Sequence, residues 1–132
     1  AIEALVQKKN LEEQVHFLGI RSDVPLIINA FDTFLFPSLY EGLGIVVIEA
    51  QAAGLTCVCS DTVPREVDVG LGLTKFLNLN QPLDVWVTTI LENLYNKKYD
   101  WETRRKTLKK KGYDVKDVTE QMEVIYVKMG EW

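Results

Sequence analysis

Four short, largely apolar runs, Val15–Leu18, Thr33–Phe36, Thr56–Cys59 and Lys75–Leu77, alternate with longer stretches of helical spacing. A strand that is apolar along its whole length has no face for water, so it must be covered on both sides. Parallel strands sandwiched between helices meet that need, and each parallel pair requires a crossover. The pattern predicts the doubly wound α/β class, with a partial sheet of about four strands flanked by helices. Residues 1–9 read as the end of a helix, with Ile2, Leu5 and Val6 on one face. Asp23 is placed to cap a second helix from Val24 to Phe31, with Pro25 in its first turn. Ile45–Ala53 is helical in length and spacing, and Gly54 stops it. Pro64–Val67 makes one helical turn. Beyond the last strand the chain is a helical tail: a stripe of Leu83, Val87, Ile90, Leu91 and Leu94, then Trp101–Lys111 ended by Gly112. A third stripe follows, Val115, Val118, Met122, Ile125 and Tyr126, which Met129 extends.

The chemistry concentrates between the second strand and the helix after it, Phe36-Pro-Ser-Leu-Tyr-Glu-Gly-Leu-Gly-Ile-Val-Val-Ile-Glu49. In open α/β sheets ligands sit beyond the carboxyl ends of the strands, which delivers Ser38–Gly44 to the ligand edge. Gly42 and Gly44 let the backbone turn sharply and let a ligand approach closely. The helix starting near Ile45 presents unpaired N–H groups and the positive end of its dipole, an anion site suited to phosphate. Glu41 precedes that helix, and Glu49 lies in its second turn, roughly 6–8 Å along the axis from the start. Carboxylates accept from vicinal hydroxyls. A diphosphate at the helix start, with a sugar on one side and a ribose on the other, would suit both. A tight turn into a helix with two solvated glutamates is the plainer reading.

Other classes fall away. The formal net charge is −4, which offers no general footprint for nucleic acid. No apolar run approaches the ~18 residues of a membrane span. The first residues lack the basic start and apolar stretch of a signal peptide. Cys57 and Cys59, two apart on a strand, point to one face and are poorly placed to bond each other. They read as small buried apolar side chains, and with a single His in the chain they make a poor metal site.

The frame Pro37, Ser38, Glu41, Gly42, Gly44 and Glu49, continued by Ala50, Ala52, Ala53 and Gly54, resembles the group-one retaining glycosyltransferases with two Rossmann-like domains. Their signature is two glutamates with seven residues between them. Val15-His-Phe-Leu-Gly19, Asp32, Ser60-Asp61 and Glu66 are similar to other parts of that pattern, so the likeness covers about residues 1 to 70. The tail, with Trp101 and Gly112-Tyr113-Asp114, is similar to a subgroup of capsule and exopolysaccharide synthesis. The resemblance implies a Rossmann-like sheet and a catalytic Glu41 against the transferred sugar. It implies Gly42, Leu43 and Gly44 amides near sugar and diphosphate, Ile45 and Val46 amides on the phosphate, and Glu49 on the ribose. Gly19 and Ile20 would lie near the base. It implies a nucleotide diphosphate sugar as donor, with uridine the expected base, and no metal or other cofactor. Attack would come on the face the diphosphate leaves, so the two glutamates are not a glycosidase pair.

The same resemblance leads us to expect that residues 1–132 form a single partial domain, the C-terminal nucleotide-sugar-binding half of a two-domain enzyme. The phosphate-clamping Arg and Lys and the N-terminal acceptor domain would lie outside it, so the chain alone would be inactive; its exposed sheet edge leads us to expect self-association or marginal stability. A cytoplasmic place is expected. The basic run Arg104–Lys111 reads first as a solvated helix face; its functional reading is peripheral contact with anionic lipid at the inner face of a membrane. His16 is expected to pack in the sheet. Arg21 and Arg65 are expected in solvent, Trp86 and Trp101 in helix packing, and Asp61 at a turn. Two rival functions share the architecture: a non-catalytic module for partner assembly, and a nucleotide-sugar epimerase.

Overall fold

The computed structural model describes residues 2–94 and 99–129. In chain order its elements are α1 (Ile2–Lys8), α2 (Val24–Ile28), β1 (Thr33–Phe36), α3 (Ile45–Ala53), β2 (Thr56–Ser60), a 3₁₀ turn (Arg65–Val67), β3 (Thr74–Leu77), α4 (Leu83–Asn93), α5 (Trp101–Lys110) and α6 (Val115–Met129). Ala1, part of the predicted first helix, lies outside the described residues.

The three strands form one parallel sheet in the order β1-β2-β3. Thr33 stands opposite Thr56, and Cys57 opposite Thr74. β2 is central and all five of its residues are buried. Its alternation splits the core in two. Cys57 and Cys59 join Val47, Ile48, Val67 and Leu73 on the α3 side. Thr56, on the opposite face, donates to the Asn93 carbonyl at the end of α4 at 2.9 Å. Burial pushes the Cys59 thiol up to about 12 and the Cys57 thiol higher still, so both stay neutral packing groups. This is the α/β architecture expected, flanked by helices and followed by a helical tail.

Two segments depart from the expectations. Val15–Leu18 is not a strand, so the sheet has three strands, not four, among the described residues. A run of four residues becomes a strand only by ladder pairing; its apolar content gave no information about a partner. Val15, Phe17 and Leu18 remain exposed, and His16 with them, so His16 is not packed in a sheet. The second helix ends at Ile28, three residues early. Asn29 Nδ2 bonds back to the Pro25 carbonyl at 2.6 Å, and the chain closes into tighter turns, Ala30 to Ile27 and Phe31 to Ile28. Asp23 stands at this helix's N-cap without capping it. Both its oxygens are held by Arg21, at 2.8 and 2.7 Å.

Candidate functional site

The segment between β1 and α3 is built from its own sequence and then tied to the next loop. β1 ends at Phe36, and Pro37 cannot continue a ladder. The Ser38 carbonyl accepts from Ser60 Oγ and, at 2.6 Å, from Thr62 Oγ1. The loop after β1 is thereby pinned to the loop after β2, and the sheet's carboxyl edge becomes one surface. The Ser38 hydroxyl lies 2.9 Å from Glu41 Oε1 and 3.1 Å from the Tyr40 carbonyl, which restrains the half-buried Glu41 carboxylate. Leu39 and Tyr40 stand out in solvent beside it.

Gly44 is the N-cap of α3, in the left-handed region at φ 77° and ψ 49°. That conformation costs an L-residue roughly 1–2 kcal/mol. Gly44 is buried, with Val63, Val67 and Phe36 where a Cβ would reach. Having no side chain, it cannot cap the helix, and the first turn of α3 holds no acidic residue. Val47 N–H closes on the Gly44 carbonyl at 3.0 Å. The first N–H groups of a helix, here Ile45 and Val46, have no intrahelical acceptor. An N-terminus with neither cap nor carboxylate is a place for an external anion. Gly42 differs from Gly44: nothing lies within 4 Å of its would-be Cβ and its φ is not positive, so it leaves open space over the loop.

Glu49 is exposed on the second turn of α3, ~6 Å along the axis from Ile45. It lines a cavity of about 280 Å³ with Pro25 of α2, Asn29 just after that helix, Ala52 of α3, and Trp101 and Arg104 of α5. Gly19 lines a different, apolar cavity of about 330 Å³ with Phe31, Phe36 and Val46. The structure thus gathers Glu41, Gly42, Leu43, Gly44, Ile45 and Val46 into one loop and helix start, with Glu49 a turn further along. It joins Gly19 to this group only through Val46. Ile20 is fully exposed and lines neither cavity.

The remaining sequence candidates resolve individually. Arg21 is exposed and paired with Asp23. Arg65 is exposed, with its guanidinium 3.9 Å over the Phe76 ring. Asp61 accepts from Asn78 Nδ2 at 2.8 Å, as a turn residue. Trp86 is buried as expected, whereas Trp101 is 59% exposed and is not a packing residue. It sits at the first position of α5, with the Arg104 guanidinium 5.8 Å from the ring centre. Among the described residues, no three or more His, Cys, Asp or Glu side chains come together as a metal-binding group. No described helix is long and apolar enough to cross a membrane.

Two residues that hold the site escaped the sequence reading. Gln51 is fully buried on α3. Its amide donates to the Val47 carbonyl at 3.1 Å and the Val67 carbonyl at 2.7 Å, and accepts from Val69 N–H at 3.3 Å. It locks α3 to the segment whose Val63 and Val67 pack beside Gly44. Thr62 fixes the Ser38 carbonyl. A glutamine inside an apolar helical run was the available signal for the first; nothing local marks the second.

Comparison with known proteins places this geometry. The family model described as glycosyl transferases group 1 matches residues 1–113. A protein named as a glycosyltransferase, EpsF of Bacillus subtilis (strain 168), is 42% identical over 113 residues, covering 86% of this chain and 29% of its own length. The Escherichia coli UDP-Gal:alpha-D-GlcNAc-diphosphoundecaprenol alpha-1,3-galactosyltransferase is 44% identical over 52 residues, 39% of this chain and 13% of its own. The E. coli O-antigen chain mannosyltransferase B is 38% identical over 72 residues, 51% of this chain and 19% of its own. The chain therefore spans less than a third of the length of these curated relatives. No solved structure matches it significantly.

Proposed function

The chain belongs to the glycosyl transferases of group 1, and from that membership we propose that it is the donor-binding part of a retaining glycosyltransferase. The observation that carries this reading is the start of α3, a left-handed glycine N-cap with no side-chain cap and no acid in the first turn, flanked by Glu41 and Glu49.

The donor is a nucleotide diphosphate sugar, with uridine as its base. The Ile45 and Val46 N–H groups and the helix dipole take the diphosphate and stabilise its charge as it leaves, so the step runs without a metal. Glu49 accepts from the ribose hydroxyls. Glu41, held by Ser38, faces the transferred sugar, and the open space over Gly42 admits it. Gly19 and Ile20 belong to the base side of the site, reached through the cavity wall that Gly19 shares with Val46. The acceptor is a saccharide or lipid-linked saccharide in cell-surface polysaccharide synthesis. The relatives' names support this, one of them specifying a UDP-sugar donor and a diphosphoundecaprenol acceptor. The acceptor domain lies outside this chain, which alone binds donor without transferring it. The enzyme works in the cytoplasm, in peripheral contact with the membrane.

A titration followed by two-dimensional NMR tests the reading. Uridine, guanosine, adenosine and thymidine diphosphates are compared, with Glu49→Ala as control. We expect uridine diphosphate to shift the amides of Gly42–Glu49 and the control to lose those shifts. Equal responses in Glu49→Ala and the parent chain would overturn the assignment of the ribose to Glu49. Shifts confined to residues away from α3 would overturn the donor site itself.

A further inference from the structure

We propose that Arg104, on α5, is a positioning residue for the α3 site: it holds that helix by its carboxyl end and so fixes the direction of its N-terminus and the placement of Glu49.

α3 has no basic residue in its last turn. Its C-cap, Gly54, turns back in the left-handed region at φ 88°, and the Gly54 N–H closes on the Ala50 and Gln51 carbonyls. The Ala52 carbonyl is taken by a residue 52 positions away in the chain: Arg104 Nη1 donates to it at 2.8 Å. The same guanidinium approaches the Asp100 carbonyl through Nε at 3.4 Å and lies 5.8 Å from the centre of the Trp101 ring. A Cβ at Gly54 would collide with it, so Gly54 serves both the left-handed turn and the close approach of the arginine. A cation at a helix C-terminus complements the dipole, and a planar guanidinium does so with a fixed geometry that an ammonium lacks. Leu108, one turn along α5, packs against the core and anchors the helix that carries the arginine.

The consequence for the site follows from stiffness. α3 is nine residues long, and one rigid rod carries the uncapped N-terminus, Glu49 and the Ala52 carbonyl. Gln51 fixes it from one side, and Arg104 fixes its far end. Release of that end lets the rod tilt on its buried Val47, Ile48 and Ala50 face, which moves the Ile45 and Val46 N–H groups and Glu49 together. Arg104 and Glu49 also line the same cavity, so the arginine sets a wall of the space into which Glu49 is exposed.

The functional half of this inference rests on the donor-site reading; the mechanical half does not, and the experiment separates them. Arg104→Ala, Arg104→Lys and Trp86→Ala are compared with the parent chain, first without ligand. We expect Arg104→Ala to move amide resonances along the whole of α3, including Ile45–Glu49. Trp86→Ala, which removes a buried side chain of α4 on the other face of the sheet, is the control for general destabilisation and leaves Ile45–Glu49 in place. Uridine diphosphate is then titrated at a temperature where every variant is folded. Arg104→Ala should weaken binding about fivefold or more, the lower end of ordinary coupling between sites. Arg104→Lys should recover thermal stability better than affinity, because it restores charge without the planar fork. Changes confined to Ala50–Leu55, or an Arg104→Ala affinity within about twofold of the parent, would overturn the proposal. If the parent chain binds no nucleotide, the donor reading falls, while the ligand-free spectra still decide whether Arg104 holds α3.

Discussion

Gly44 holds its backbone at φ 77° inside a packed site, while Gly42, two residues earlier, has no such torsion and no neighbour where a Cβ would sit. The two glycines therefore separate structure from function. Gly44→Ala meets only ordinary van der Waals contacts at 3.5–3.7 Å, so its cost is torsional, roughly 1–2 kcal/mol. In urea denaturation its midpoint should fall accordingly. Gly42→Ala should leave the midpoint unchanged and weaken uridine diphosphate-sugar binding by crowding the approach to the loop. A Gly42→Ala chain that binds the donor as tightly as the parent would remove the close approach from the mechanism. Both glycines were legible as a loop before a helix, because the positive φ of a helix cap favours glycine locally. Which glycine the fold needs was not legible, since that depends on Val63, Val67 and Phe36 arriving from other elements. Thr62, Gln51 and Arg104 were hidden for the same reason. Their bonds reach 24, 16 and 52 residues along the chain, and the local pattern names no partner for any of them.

Helix starts show how neighbours decide what one residue type does. Asp100 and Asp23 both stand at N-caps. Asp100 Oδ1 accepts from the Thr103 N–H at 2.7 Å, whereas Asp23 is drawn off by Arg21. We expect Asp100→Ala to lower the thermal midpoint by a few degrees, the ordinary effect of losing a cap, and Asp23→Ala to leave α2 no less helical. The Thr103 N–H holds the Asp100 carboxyl below the usual aspartate range. Its contribution is complete above the unfolded value, ~3.9, and is lost as pH falls through the lower folded value. Asp100→Asn, which caps without a charge, should flatten that part of the acid titration. An unchanged acid midpoint in Asp100→Asn would remove the cap from the account. At this scale the sequence was most readable: β1, α3 and α5 end within a residue of where the reading put them, because each has a local stop, Pro37, Gly54 or Gly112. Val15–Leu18 failed as a strand because pairing, not composition, makes one.

Across the molecule, charge is divided unevenly. The eight residues Arg104–Lys111 carry six positive charges and no negative one, so with a net charge of −4 the rest of the chain sums to −10. Two of the six are committed: Arg104 to the Ala52 carbonyl, and Lys109 to Asp117 at 2.9 Å. Arg105, Lys106, Lys110 and Lys111 are exposed; Lys106 has only a loose partner, Glu102 at 3.8 Å. On the membrane reading such a face would be drawn to an anionic bilayer, each cation near the surface contributing about 1 kcal/mol, and the acidic remainder would confine the attraction to α5. In sedimentation with liposomes, binding should need an anionic lipid and weaken as salt shortens the screening length towards ~3 Å at 1 M. Lys106→Glu with Lys110→Glu should abolish it. Both changes lie outside the α3 site and leave the Lys109–Asp117 bridge and the Arg104 contact intact, so nucleotide binding should not change. Equal binding to neutral liposomes, or to anionic liposomes by the doubly reversed chain, would remove the membrane from the functional reading and return α5 to a solvated face. The donor reading would be untouched by that result, since Lys106 and Lys110 are not among the residues lining the cavity of Glu49, and Ile45 and Val46 head α3.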